Sequence, residues 1–193
     1  MVVYYKYFFH ERSRFNDREG MVYSCLIYQS LDNPDYFNRD SGKLDISMVK
    51  AFIAKALIET GKESIEYNDA KINKSEIAKQ TGIARSTVYD ICDKFIEGKI
   101  IDGNTIQCPP ELLDEHYFEL PELPEGVRLT FQQRLFYGFL KNRARSYNGI
   151  IDTKEYMLAS LFGKKKEDIK TLLAALKRNN LTERLPDGRL KIK

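Results

Sequence analysis

Histidine is nearly missing from this chain, which holds only His10 and His116 among its 193 residues. That scarcity excludes histidine-built zinc sites and leaves no Ser–His–Asp or Cys–His set to assemble. Tyr4, Tyr5 and Tyr7 stand in an aromatic opening stretch. A tyrosine nucleophile of the kind DNA-nicking enzymes use needs a histidine-rich metal site beside it, so these tyrosines read as a strand or a dimer edge. Cysteine is as sparse: Cys25, Cys92 and Cys108 are isolated and odd in number. They exclude a disulfide framework and read as reduced thiols of a cytoplasmic protein. No apolar run approaches the ~20 residues of a membrane helix. The N-terminus, MVVYYKYFFHERSRF, has no small-residue cleavage site of a signal peptide. There is no glycine-rich phosphate cradle and no zinc-type cysteine spacing. No catalysis, cofactor, metal, small-molecule ligand or membrane partner is therefore expected.

What is present is enough apolar residue, 42%, to build real cores, and 31% charged residue to keep them in solution. The net charge of +3 conceals a steep gradient along the chain. Residues 1–108 come to −1, residues 109–126 to −6 with no basic residue at all, and residues 127–193 to +10. Such asymmetry points to contact between one part of the chain and a polyanion. The acidic stretch also holds four of the six prolines. It reads as a linker or extended arm between an N-terminal domain, 1–108, and a C-terminal domain, 127–193.

Val2–Phe9 has the β-branched and aromatic make-up of a strand. Asn16 and Glu19 have capping-box spacing before a helix with Met21, Val22, Cys25, Leu26 and Tyr28 on its apolar face. A loop follows from Leu31. A second amphipathic helix begins near Asp45 or Ser47, burying Val49, Phe52, Ile53, Ala56 and Leu57, and stops at Gly61. Ile65–Tyr67 is a candidate strand, and Asn73-x-x-Glu76 a second capping box.

The clearest pattern lies between Lys74 and Ile101. Ile77 and Ala78 occupy the inner face of one helix, Gly82 supplies a left-handed turn, and Ile83 plugs the gap. Val88, Ile91 and Phe95 line a second helix at helical spacing. Gly98 is expected as its left-handed cap, with Ile100 folding back beneath. Asp102-Gly103 then makes a tight turn between Ile100–Ile101 and Thr105–Gln107. The small residue, glycine four later and β-branched residue beyond resemble the helix-turn-helix of DNA-binding proteins. With the hairpin added, the unit resembles a winged helix, and Arg85-Ser86-Thr87 is similar to the Ser-Arg-Ser-Thr segment of many bacterial examples. The resemblance implies that Arg85, Ser86, Thr87 and Tyr89 face DNA. Asp90 and Asp93 on the same helix oppose that role, and a scaffold or dimerisation unit is the alternative.

The second half repeats this pattern. Thr130-x-x-Gln133 caps a helix with Leu135, Phe136, Phe139 and Leu140, as Asn16-x-x-Glu19 does. Ile150–Ile151 is a short strand, and Asp152-x-x-Glu155 is expected to cap the next helix. Leu158, Ala159, Gly163, Ile169, Leu172 and Leu176 then each lie 81 residues after a member of the first set, as Asn179 does after Gly98 and Leu181 after Ile100. Lys164 replaces the plug Ile83, so that either the second turn is looser or Phe162 fills the gap. A hairpin, Thr182–Leu185 and Arg189–Ile192, closes the repeat across Pro186-Asp187-Gly188. Here the candidate contacts with DNA are basic: Lys164, Lys165 and Lys166 at the turn, Lys170 and Thr171 one turn on, and Arg184, Arg189 and Lys191 on the hairpin. Lysines at a helix start oppose the helix dipole unless an anion joins them.

The expected fold is mainly α with small β-hairpin wings, two winged helix-turn-helix domains in tandem. The N-terminal region is similar to replication-initiation proteins of plasmids, phages and mobile elements, in its aromatic strand YYKYFF, the Phe15-Asn16-Asp17 turn and the helical insertion before Ile77. That resemblance implies a double-stranded DNA partner, a homodimer through the N-terminal domain, and a role in replication initiation or maintenance of a mobile element. A transcriptional regulator of the same architecture and a winged-helix protein–protein adaptor are the alternatives.

Overall fold

The computed structural model of the chain describes residues 2–5, 15–31, 46–108 and 117–193. These residues are mainly helical, with seven α-helices and a small antiparallel three-stranded sheet in each of two compact units. One unit holds the described residues up to Tyr117, the other residues 118–193.

In the first unit, β1 (Val2–Tyr5) realises the start of the expected strand; residues 6–14 lie outside those described. Helix α1 (Asp17–Ser30) begins with the reciprocal capping box that Asn16 and Glu19 predict, each side chain accepting from the other residue's backbone N–H. Met21, Val22, Cys25 and Leu26 are buried, while Tyr28 is only half-buried. The loop expected from Leu31 onward lies, from residue 32 to 45, outside the described residues. Helix α2 (Ile46–Thr60) carries a narrower buried stripe than its periodicity predicts. Val49 and Ile53 are buried, Phe52 and Ala56 half-buried, and Leu57 stays 41% exposed. The helix packs on β2 (Ser64–Glu66), and Leu57 falls outside the buried stripe.

A 3₁₀ turn at Asp69–Lys71 leads to α3 (Lys74–Thr81), α4 (Arg85–Glu97), β3 (Ile101–Asp102) and β4 (Thr105–Gln107). The sheet order is β2-β4-β3, with Ile106 of β4 opposite both Ile65 and Ile101. All three isoleucines are buried, so this narrow sheet closes the base of the helical core.

The other unit repeats this plan. After β5 (Tyr117–Leu120), within the stretch read as a linker or arm, come α5 (Phe131–Ala144) and β6 (Ile150–Ile151). Then follow α6 (Glu155–Phe162), α7 (Lys166–Arg178), β7 (Thr182–Arg184) and β8 (Leu190–Ile192). The sheet order is β6-β8-β7, again with the last strand in the middle. The repeat extends to a pair of tyrosines that periodicity does not single out. Tyr23 of α1 and Tyr137 of α5 are both buried, and their hydroxyls donate to the carbonyls of Gln107 and Lys193 beside the central strands.

Two expectations about caps are corrected. The left-handed residues after α4 and α7 are Lys99 (φ 54°) and Asn180 (φ 57°), each one position beyond the expected Gly98 and Asn179. The chain turns there because the N–H of Ile100 returns to Phe95 and that of Leu181 to Leu176. Gly98 has φ −78°, and an added Cβ would lie 3.1 Å from the Lys94 carbonyl oxygen, so close approach rather than handedness favours glycine. Second, Asp152 does not cap α6. The N-cap is Lys154, without a side-chain bond, because Ile151 pairs with Leu190 and holds the chain extended up to Asp152.

Of the two outcomes open at Lys164, a looser turn or a filling Phe162, the structure favours the second. Phe162 is buried against Phe136 and Phe139, with ring centroids 5.0 and 5.2 Å away. Among the described residues, no helix is long and apolar enough to cross a membrane.

Candidate nucleic-acid interface

The turn between α3 and α4 is fixed from both ends. Asn73 caps α3 by accepting from the Glu76 N–H, while its own N–H donates to Gln29 Oε1 of α1 at 2.9 Å. Gln29 therefore takes the place expected of Glu76 in a reciprocal box, and the Glu76 carboxylate instead accepts from Gln80. Thr81 Oγ1 donates to the Ile77 carbonyl and accepts from the Ile83 N–H, and Gly82 takes φ 76°. With Ile77, Ile83, Val88, Ile91 and Phe95 all buried, the opposite face of α4 is fixed outward. That face presents Arg85, Ser86, Asp90 and Asp93, all exposed, with Tyr89 39% exposed and Thr87 half-buried.

Around Tyr89 lies a cluster drawn from four segments. The Arg85 guanidinium stands 5.5 Å from the Tyr89 ring centroid, and its N–H reaches the Tyr89 hydroxyl at 3.4 Å. Lys74 Nζ lies over the same ring at 5.4 Å. It is ion-paired at 2.8 Å with Asp69, which also accepts from the Tyr67 hydroxyl at 2.7 Å. The hydrogen bond from Arg85, with its charge, pulls the Tyr89 phenol below its ordinary range. Hydrogen bonds from Lys74 and Tyr67 hold the Asp69 carboxyl low. Burial works to lower the Lys74 ammonium, but the Asp69 bond and charge outweigh it and raise the group. Lys74, Asp69 and Tyr67 are the residues sequence reasoning missed. The available signal was a lysine at a helix start, which calls for a nearby carboxylate.

In the second unit, Lys165 is the exposed N-cap of α7 and Lys166 its exposed first residue, with Lys170 and Thr171 exposed one turn on. Thr171 Oγ1 bonds back to the Glu167 carbonyl. Lys164 is half-buried in the turn. The hairpin cations are less available. Arg184 donates to the Gly188 carbonyl at 2.9 Å and pairs with Glu155 at 3.4 Å. Arg189 pairs with Asp187 at 2.6 Å and holds that carboxyl low. Lys191 is exposed on β8.

Neither α4 nor α7 has a side-chain N-cap bond, a lack they share with α6, whereas Asn16, Asn73 and Thr130 cap α1, α3 and α5. The first-turn N–H groups of both helices are left for water or an anion. The three thiols are buried, and desolvation pushes Cys92 up to about 11 and Cys25 and Cys108 to about 12, so all stay protonated at neutral pH. Among the described residues, no group of three or more His, Cys, Asp or Glu is arranged to hold a metal. No protein-family model matches this chain, and no curated protein or solved structure matches it either.

Proposed function

We propose that this chain is a duplex-DNA-binding protein built from two winged-helix domains, in which α3–α4 and α6–α7 are the helix-turn-helix pairs and the β3–β4 and β7–β8 hairpins the wings. The observation that carries the reading is the repeated second helix. In both units it packs its apolar stripe inward, lacks a side-chain cap, and presents exposed cations at its first turn. A helix of this kind enters the major groove, where side chains of its N-terminal turn reach base edges or phosphates and its uncapped N–H groups can meet a phosphate. The +10 charge of residues 127–193 supplies attraction of the required sign. Replication initiation or maintenance of a mobile element is the process we attach to it, on the aromatic N-terminal stretch and the Phe15-Asn16-Asp17 entry to α1. A homodimer through the N-terminal unit belongs to the same reading.

Mobility shift of a labelled duplex by the full chain at low salt tests the proposal. Replacing Lys164, Lys165 and Lys166 together by alanine lowers the salt slope of binding by roughly one for each phosphate no longer neutralised. An unchanged affinity and slope would reject a role for these lysines at the DNA backbone. Retention of no duplex would reject DNA binding and favour the adaptor. Footprints on origin-like repeats rather than on promoter DNA separate the replication role from transcriptional regulation.

A further inference from the structure

We infer that the two units divide the recognition of DNA: Arg85 of the first reads base edges, while Lys165, Lys166 and Lys170 of the second grip phosphates. This rests on the duplex-binding reading above and goes beyond it by assigning sequence discrimination to the unit with the poorer charge.

Arg85 and Lys166 are counterparts, the first residue of α4 and of α7, and Tyr89 and Lys170 are counterparts one turn on. The frame is the same and the chemistry is not. Arg85 rests over the Tyr89 ring and bonds its hydroxyl. Tyr89 is braced in turn by Lys74, whose charge Asp69 neutralises. Arg85 is thereby left as the outward cation of that face, with a constrained direction. A planar guanidinium with its direction set suits bidentate pairing with O6 and N7 of guanine, and loses little freedom on pairing. Asp90 and Asp93, exposed beyond it on the same helix, repel phosphates but can accept from the amino group of cytosine. With residues 1–108 at −1, little non-specific attraction opposes such selectivity.

In the second unit the arginines of the hairpin are occupied by Glu155, Asp187 and the Gly188 carbonyl. Lys165, Lys166 and Lys170 are exposed, and none forms an ion pair among the described residues. A lysine ammonium is a point charge on a flexible stem. It matches phosphate oxygens at many orientations and carries no base information.

The test uses the full chain and a duplex library with a randomised central segment. Sequence bias in the bound fraction and the salt slope of binding are both read. Arg85→Lys, which keeps the charge and removes the fork, flattens the guanine preference and leaves the slope unchanged. The triple variant Lys165→Gln, Lys166→Gln, Lys170→Gln lowers the slope by roughly one per phosphate released and leaves the bias intact. Circular dichroism confirms that these exposed substitutions leave the fold in place. The division is overturned if Arg85→Lys retains the full bias, if the lysine variant retains the full slope, or if the wild type binds duplex without any bias. That last result leaves duplex binding standing. Failure of the wild type to retain any duplex at low salt rejects duplex binding itself and the division with it.

Discussion

Tyr23 and Tyr137 hold matching places in α1 and α5, and each hydroxyl satisfies a carbonyl at the end of its unit's central strand. Replacing either by phenylalanine keeps the packing and leaves that carbonyl without its partner. Each change is expected to cost about 1 kcal/mol, read as a lower denaturation midpoint at unchanged slope. Lys99 adopts a left-handed conformation that costs a lysine about 1 kcal/mol or more. Lys99→Gly relieves it, and a rise in stability of about 0.5 kcal/mol is expected after allowing for the freer unfolded chain. Asn180→Gly gains less, because asparagine tolerates that region and its Oδ1 accepts from Lys193. The Asp69–Lys74 pair gives a pH signature. The Asp69 carboxyl is held low in the fold, so its contribution is present above its unfolded pKa of about 3.9 and is lost as pH falls through the folded value. Lys74 is raised, so its contribution holds below about 10.4 and is lost as pH rises through the folded value. Asp69→Asn should remove the acid-side loss from the stability–pH curve, by a small amount since the Asp69 side chain is 62% exposed.

At the scale of elements, the α3–turn–α4 unit was legible because its interior positions obey one period and its turn needs a residue free to take positive φ at Gly82. The repeat was legible for the same reason, since Leu158, Ala159, Gly163, Ile169 and Leu176 keep that register. Helix ends were less legible. A capping box read at Asp152 depends on where the helix starts, and pairing between Ile151 and Leu190 decides that from outside the local sequence. Placing a cap where the helix does begin should help: Lys154→Ser is expected to raise stability by about 1 kcal/mol, while Asp152→Ala leaves α6 unaffected. Phe162 shows a different kind of substitution. Its ring serves where the first unit uses Thr81 and Ile83, so Phe162→Ala opens a cavity beside Phe136 and Phe139 and should cost roughly 3–5 kcal/mol. The cluster of Tyr67, Asp69, Lys74 and Tyr89 was not legible, because its members come from four segments whose meeting is set by tertiary packing.

For the whole molecule, two copies of one supersecondary plan carry very different charge, −1 over residues 1–108 and +10 over residues 127–193. The internal repeat accounts for the shape of each unit, and the charge difference accounts for why they would not do the same work on a polyanion. The most direct test is the affinity of the full chain for a short random-sequence duplex, followed by fluorescence anisotropy from about 0.05 to 0.2 M salt. A polyanion-binding role predicts tight binding at the low end and a straight, steep fall of log affinity against log salt. Absence of binding at the lowest salt, or an affinity indifferent to salt, would contradict it.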